Sequence, residues 1–187
     1  MNDDVTLCLD ETRDAMEKAL VHLEGELAKI RAGKASPQML EKVHVDYYGT
    51  STPLYQVANI NTPDPRSLLI QPWEKSMIHP IEKAIQAANL GLNPQNDGTI
   101  IRINIPPLTE ERRKELVKKA KADAENTRVA IRNLRKDGNE FIKDLLKKGL
   151  PEDEGKEAEV KIQHLTDNYT ERVEKHLGIK EKEIMTV

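Results

Sequence analysis

Three arginines are spaced so that they could bind phosphate groups together. Arg128, Arg132 and Arg135 are four and three residues apart, so on a helix they share one face. A guanidinium group is planar and donates two parallel hydrogen bonds, a geometry that suits the oxygen atoms of a phosphate. The spacing therefore indicates a row of phosphate-binding groups along a helix.

Lysines extend this row along the same helix. The apolar positions there alternate in steps of three and four, which predicts the buried seam of the helix: Val117, Ala120, Ala124, Thr127, Ile131, Leu134, Gly138, Phe141 and Leu145. The residues one position later, interrupted only by Glu125, form a basic stripe: Lys118, Lys121, Arg128, Arg132 and Arg135, preceded by Lys114. One residue turns a helix by about 100°, so the basic stripe would run along the flank of the seam. It could bind a nucleic-acid backbone in a salt-dependent way.

The basic stripe has a second explanation, which is neutralisation within the molecule. Residues 107–148 carry a net charge of +5, residues 1–33 and 149–187 carry −4 each, and residues 34–106 are neutral. A basic helix packed between two acidic helices could form ion pairs with both. Exposed ion pairs contribute only about 0–1 kcal/mol each, and lysine would form them as well as arginine. The arginines therefore favour nucleic-acid binding slightly, and both explanations stay open.

Structured RNA is the nucleic acid that the pattern suits. The sequence has no zinc-binding motif and no basic arm, and the basic stripe has no clustered aromatic residues that could stack on single-stranded bases. Recognition through shape and phosphate position remains. We therefore expect RNA rather than DNA as the partner.

Three long helices account for most of the chain. The first covers residues 1–32, and Gly33 marks its end. The second runs from Thr109, a candidate N-cap, to Lys148, and the third follows Pro151 with apolar residues on one side. Because one helix cannot bury an apolar stripe alone, we predict that the three pack into an antiparallel bundle.

The segment between the first two helices has a different composition. Residues 34–106 contain eight of the ten prolines and short runs of β-branched and aromatic residues, which predict strands and turns around one short helix. The predicted fold class is α+β: an elongated antiparallel three-helix bundle, formed by 1–33 and 107–187, with this segment as an inserted small β/α/β domain. The crossings at 31–37 and 105–109 are either a hinge or ordinary loops, and the sequence favours neither.

Composition excludes several classes of protein. The chain has 187 residues and one cysteine, so it can form no internal disulfide, which suits a reducing compartment. Its acidic start from Asp3 is unlike a signal peptide, and no apolar run approaches the roughly 20 residues that cross a bilayer. The five histidines form no pair at metal-ligand spacing. We expect a cytoplasmic monomer that uses no membrane, metal or cofactor.

Four motifs, in order along the chain, resemble the ribosome recycling factor family. They are KIRAGKASP, VDYYGTSTPL, LGLNP followed by GTIIRINIPPLTEERRKEL, and RVAIRNLRKD. The resemblance extends over essentially the whole chain. It implies an L-shaped molecule, tRNA-like in outline, in which a three-helix bundle and a β/α/β domain are joined by a two-strand hinge.

The resemblance also implies a function. Members of this family bind the 70S post-termination ribosome, mainly through large-subunit ribosomal RNA, and they are not enzymes. With elongation factor G and its GTP hydrolysis they split the subunits, so that messenger RNA and deacylated tRNA are released. We therefore expect ribosome recycling after translation termination, with no catalytic residue; the absence of a glycine-rich phosphate loop ending in Lys-Ser/Thr agrees with a GTPase partner.

The functional residues of the family can be carried over position by position. The resemblance implies that Arg132 and Arg135 contact large-subunit rRNA, with Arg128 and Arg31 on the same face. Together with two lysines of the basic stripe, the candidate RNA-binding residues are Arg31, Lys118, Lys121, Arg128, Arg132 and Arg135. The candidate hinge residues are Gly33, Lys34, Pro106 and Pro107. Lys34 stands where many members of the family carry Arg, and it keeps the charge without the bidentate fork.

Two other classes of function remain as alternatives. A helical scaffold or chaperone-like coiled coil would bind protein rather than RNA, and its binding would depend little on Arg132 or Arg135. An enzyme with its site in the inserted domain is the weakest alternative, because no convergent acid, base or nucleophile can be named there.

Overall fold

The computed structural model of the protein describes residues 2–186 and divides the chain into two compact units. The first contains the chain up to Ala32 and from Glu110 onward, and the second contains Gly33–Thr109. The helices are α1 (Asp3–Lys29), α2 (Leu54–Val57), α3 (Ile78–Ala87), α4 (Glu110–Lys147) and α5 (Glu152–Met185). The strands are β1 (His44–Tyr47), β2 (Thr50–Pro53), β3 (Ala58–Asp64), β4 (Ser67–Pro72), β5 (Pro94–Asn96) and β6 (Ile101–Asn104).

The first unit is a bundle of α1, α4 and α5. The short connection between α4 and α5 turns at Gly149, where φ is +105°, so the two helices are antiparallel. The backbone N–H of Asn2 donates to Glu154 on α5 at 2.9 Å, and Cys8 lies beside the carbonyl of Gly138 on α4. Helix α1 therefore runs parallel to α5 and antiparallel to α4. The predicted class, a mostly helical α+β protein with a helical bundle and a small sheet domain, is confirmed.

Small residues on α4 let the three bundle helices approach closely. Ala120 and Ala124 have no exposed surface, and a Cβ atom on Gly138 would lie 3.1 Å from Thr12 and 3.3 Å from Ile162. Leucine, isoleucine, valine and methionine fill the rest of the core, since the bundle contains few aromatic residues. The core is thin, as expected of helices that bury one stripe each.

The buried seam of α4 differs from the predicted one at both ends. Leu116 and Ile142 are buried, whereas Val117 is only partly buried and Phe141 is 45% exposed. The middle of the predicted seam, from Ala120 to Ile131, is correct. A pattern of steps of three and four approximates the helical repeat of 3.6, so over 38 residues the choice between adjacent apolar positions depends on where the partner helices lie.

Helix α1 ends earlier than predicted. The sequence placed its end at Gly33, but the last helical residue is Lys29 and Ile30 already has an extended backbone, with φ −77° and ψ 106°. The Ile30 side chain is only 2% exposed. Burial of this side chain, rather than the glycine, marks the point where the chain leaves the helix.

The second unit contains two antiparallel sheets and α3. Strands β1 and β2 form a hairpin, and the other four form a sheet in the order β3-β4-β6-β5. Leu68 pairs with Ile103 and Ile70 with Ile101, and all four side chains are buried together with Ile81 and Ile85 of α3. The run that predicted only strands also contains one helical turn, α2, directly after β2.

The two ends of the second unit are hydrogen-bonded to the same turn of its sheet. The backbone N–H of Ala35 donates to the carbonyl of Pro65, and that of Ile105 donates to the carbonyl of Arg66, each at 2.7 Å. Pro65 and Arg66 form the turn between β3 and β4. Within residues 2–186 the structure contains no helix long and apolar enough to span a membrane.

Candidate nucleic-acid interface

The basic stripe lies on the flank of α4 that faces α5. Lys121 is 3.5 Å from Glu181, and Arg128 pairs with Glu174. Two residues seven apart on α4 thus meet two residues seven apart on α5, in the reverse order that antiparallel helices require. The flank that carries the basic stripe is therefore bordered by acidic residues of α5, and part of its charge is neutralised there.

Arg128 is partly buried and is more enclosed than Arg132. Its Nε donates to Glu125 Oε2 at 2.8 Å, and its Nη1 donates to Glu174 Oε1 on α5. Its side chain is 22% exposed. Two carboxylates thus bind one guanidinium group, so the internal explanation of the basic charge holds for this residue.

Arg132 is more accessible and shares one of those carboxylates. Its Nη2 donates to Glu125 Oε1 at 2.8 Å, and 55% of its side chain is exposed. Hydrogen bonds from Arg128 and then from Arg132 hold the pKa of the Glu125 carboxyl below its ordinary value, so Glu125 is ionised at neutral pH. The one acidic residue that interrupts the basic stripe therefore joins its first two arginines.

Arg135 contacts an amide instead of a carboxylate. Its Nη1 donates to Gln163 Oε1 at 3.4 Å, and Gln163 Nε2 in turn donates to Asp167 Oδ1 at 2.7 Å. Among residues 2–186 no carboxylate forms an ion pair with Arg135. Arg135 is partly buried, and its positive charge is not neutralised by an ion pair within these residues.

The other predicted RNA-binding residues are exposed. Arg31 follows α1, and Lys118 lies one turn before Lys121 on α4. In the part of the chain that the structure describes, neither Arg31 nor Lys118 forms an ion pair. Lys114, which precedes them on the basic stripe, is paired with Glu110 at 2.9 Å. The structure thus shows which cations of the basic stripe form ion pairs within the protein and which do not. The sequence alone did not show this.

The sequence predicted an acidic third helix but did not identify which of its residues would partner the basic stripe, although a signal for them exists. Glu181, Glu174 and Asp167 are spaced by seven residues, as are Lys121, Arg128 and Arg135. In an antiparallel pair of helices these two series would face each other in one register. The first two pairs form, whereas the third is interrupted by Gln163, which accepts from Arg135 and binds Asp167 itself.

The four candidate hinge residues lie at the ends of the second unit. Gly33 has φ +73°, and a Cβ atom there would be 2.7 Å from Cγ of Leu108. Lys34, Pro106 and Pro107 are exposed. Glycine at position 33 thus satisfies both a left-handed backbone and a close contact with Leu108, for which any other residue would be strained.

The described side chains contain no candidate metal centre. Within residues 2–186, no group of three or more His, Cys, Asp or Glu side chains is arranged to hold a metal ion. The one cysteine, Cys8, is buried against the carbonyl of Gly138, and burial raises the pKa of its thiol. It is a packing residue of the bundle.

A three-helix bundle with a sheet unit inserted between its first two helices is a distinctive class of fold. Residues 23–185 match the family model described as ribosome recycling factor. The chain belongs to the ribosome recycling factor family, as its four motifs predicted. Its role is accordingly ribosome recycling, a step of protein biosynthesis.

Relatives from different bacteria match almost the whole chain. A ribosome-recycling factor of Cytophaga hutchinsonii is 55% identical over 185 residues, covering 99% of this chain and 100% of the relative. That of Flavobacterium psychrophilum is 52% identical over 187 residues, covering 100% of both. That of Clostridium tetani is 53% identical over 179 residues, covering 96% and 97%.

Two solved structures are similar in fold. The solution structure of a ribosome recycling factor is 39% identical, has a TM-score of 0.76 and covers 100% of both chains. A second structure is described as models for the T. thermophilus ribosome recycling factor and the E. coli elongation factor G bound to the E. coli post-termination complex. Its matching chain is 45% identical, with a TM-score of 0.60, and the match covers 97% of this chain and 99% of that one.

Proposed function

We propose that this protein binds the post-termination ribosome through rRNA of the large subunit and, with elongation factor G and GTP hydrolysis, splits the two subunits. Messenger RNA and deacylated tRNA are then released. The observation that carries the proposal is the row of cations on one flank of α4, above all the exposed Arg132 and the partly buried Arg135, which has no ion-pair partner among residues 2–186. The similar structure that is described with elongation factor G on a post-termination complex supports the choice of partners.

The accessible part of the basic stripe fits a phosphate backbone. The 38-residue length of α4 makes a rod of roughly 57 Å at about 1.5 Å per residue, so cations along it can meet phosphates that are fixed in a folded RNA. Arg135 has an unneutralised charge, and Arg132 has a half-exposed pair that contributes little to stability. These two arginines are the principal rRNA contacts, Lys118 and Arg31 contribute charge, and Arg128 and Lys121 mainly hold α4 to α5.

Subunit splitting requires that the factor bind one ribosomal state better than another. A protein can shift an equilibrium only by its difference in affinity for the two states. The bundle provides an anchor with a positive flank, and the neutral unit Gly33–Thr109 provides a part that the GTPase partner can displace. Gly33, Lys34, Pro106 and Pro107 act as the hinge. The protein acts as a monomer in the cytoplasm, where its ribosomal partner is, and contributes no catalytic group.

Co-sedimentation with salt-washed 70S ribosomes over a salt series tests the rRNA contact. Wild-type protein should pellet with ribosomes and dissociate as salt rises, and Arg132→Ala with Arg135→Ala should weaken binding at least tenfold. Arg13→Ala is the matched control, because Arg13 on α1 is 54% exposed and paired with Asp10, much as Arg132 is paired with Glu125. Equal pelleting of the double variant and the wild type would refute the proposal.

The hinge is tested separately. Two cysteines that cross-link the units, introduced in a Cys8→Ser background, should abolish subunit splitting by purified elongation factor G and GTP when oxidised and restore it when reduced. Ribosome binding by the bundle should persist in both states. Unimpaired splitting by the oxidised protein would rule out the hinge motion, without affecting the proposed rRNA contact.

A further inference from the structure

One carboxylate holds the two arginines at the centre of the basic stripe. Glu125 accepts from Arg128 Nε through Oε2 and from Arg132 Nη2 through Oε1, both at 2.8 Å. Both of its oxygen atoms thus receive an arginine N–H. A phosphate group that bridged the same two guanidinium groups would need the same donors. Glu125 therefore occupies donors that a backbone phosphate would need.

The two arginines differ in how firmly they are held. Arg128 keeps a second carboxylate, Glu174, if Glu125 leaves, whereas Arg132 has Glu125 as its only ion-pair partner among residues 2–186. Glu125 is 49% exposed and Arg132 is 55% exposed. An ion pair with this exposure is screened by water and exchanges partners readily. Arg132 can thus move from Glu125 to an external anion while Arg128 stays in place.

We propose that Glu125 is an internal counter-ion that competes with RNA phosphates for Arg132 and so sets the affinity of the bundle for RNA. This proposal rests on the proposed function, because it assumes that Arg132 and Arg135 contact rRNA. In the free protein Glu125 holds the Arg132 guanidinium group at 2.8 Å. On rRNA a phosphate replaces Glu125, with Arg135, which has no carboxylate partner, as the first contact.

Competition of this kind favours specific RNA over other polyanions. An anion that reaches only Arg132 must displace Glu125 and then lie beside its negative charge. A folded RNA that places one phosphate on Arg135 and another on Arg132 gains the first contact without competition. Glu125 therefore lowers affinity for all nucleic acids, and lowers it most for those that cannot contact both arginines. The interruption of the basic stripe is a feature that reduces non-specific binding.

Glu125→Gln removes the charge and keeps the size and one acceptor oxygen of the side chain. We expect this variant to bind isolated 50S subunits about three- to tenfold more tightly at low salt, the effect of removing one like charge near a surface contact. Its affinity for an unrelated polyanion, polyadenylate, should rise by a larger factor. Glu157→Gln is the matched control: Glu157 is 60% exposed and binds Lys161 on α5, so it makes the same change in net charge elsewhere on the bundle.

The outcomes separate this inference from the proposed function. Adding Arg132→Ala to Glu125→Gln should abolish the gain, since the competition is for Arg132. Equal affinities of Glu125→Gln and Glu157→Gln, or weaker binding by Glu125→Gln, would overturn the counter-ion role. If Arg132→Ala with Arg135→Ala leaves 50S binding unchanged, the proposed function itself fails. Circular dichroism of each variant establishes that the bundle is folded.

Discussion

Arg172 on α5 binds Glu17 on α1 with both terminal nitrogens of its guanidinium group, at 2.7 and 3.1 Å. The Tyr169 hydroxyl donates to the same carboxylate at 2.7 Å, and the Arg172 guanidinium carbon lies 5.0 Å from the centre of the Tyr169 ring. Hydrogen bonds from Arg172 and Tyr169 hold the pKa of Glu17 below its ordinary value. This cluster links α1 to α5.

The stability contributed by Glu17 should depend on pH. Because the folded pKa is lower than the unfolded value of about 4.5, the contribution is complete above that value and is lost as pH falls through the folded pKa. We expect the wild type to have a higher Tm than Glu17→Gln at pH 7 and the difference to shrink below about pH 4.5. In an Arg172→Met background the pH-dependent difference should become smaller, because only the Tyr169 hydroxyl then lowers the pKa of Glu17, as a double-mutant cycle would show. A difference that persists unchanged at acidic pH would contradict this account.

We expect Arg128 to contribute mainly to the stability of the bundle and Arg132 mainly to ribosome binding. Arg128→Met leaves the carboxylates of Glu125 and Glu174 without a shared partner, so we expect a loss of about 1 kcal/mol, or about 2–4 °C in Tm. Arg132→Met should change Tm less and weaken ribosome binding more. Thermal melting and co-sedimentation of the two variants measure both effects. If Arg128→Met weakens binding as much as Arg132→Met, then Arg128 also exchanges its carboxylates for phosphates.

Substitutions of Arg135 can separate the effect of its positive charge from that of its planar, two-donor guanidinium group. Arg135→Lys keeps the charge and loses the fork that binds two phosphate oxygens, whereas Arg135→Ala loses both. The lysine variant should lose part of the affinity and keep the wild-type salt dependence. The alanine variant should reduce the slope of log K against log salt by about 0.7–0.9, the value of one phosphate contact. Equal slopes for all three proteins would show that Arg135 makes no phosphate contact.

Two glycines close in sequence should respond oppositely to alanine. Gly25 lies in α1, and a Cβ atom there would have no neighbour within 4 Å, so Gly25→Ala should stabilise the bundle by up to about 1 kcal/mol. Gly33 combines φ +73° with a contact of 2.7 Å to Leu108, so Gly33→Ala should destabilise its unit by about 2 kcal/mol. Urea denaturation of both variants measures the difference. A stabilising Gly33→Ala would show that the backbone there relaxes without cost.

Much of the fold could be predicted because local signals agree with the final packing. The steps of three and four in α4 and the change of composition after residue 33 each identify an element without knowledge of its neighbours. The choice between Val117 and Leu116, or between Phe141 and Ile142, could not be made in this way. Adjacent apolar residues on a helix are equally hydrophobic, and the direction from which α1 and α5 approach decides which of them is buried.

The position of the basic stripe could be predicted from the sequence, but the acidic residues that neutralise part of its charge could not. The basic stripe follows from spacing alone, but its partners lie on another helix, and Glu174 is 46 residues after Arg128. Contacts between residues so far apart in the sequence leave no pattern in the residues around either partner. The seven-residue spacing of the acidic residues on α5 becomes informative only when the antiparallel register is known. For this reason the internal partners of the basic stripe could not be named before the structure was available.

The attachment of Ala35 and Ile105 to consecutive residues of one turn has a consequence for protein engineering. Both chain ends of the inserted unit leave from the same place on its sheet, as the ends of a loop do. The unit should therefore be exchangeable as a cassette between homologues, with cuts at residues 33 and 109 and no change to either core. Chimaeras built in this way would reveal which half of the molecule decides compatibility with a given species' translation machinery.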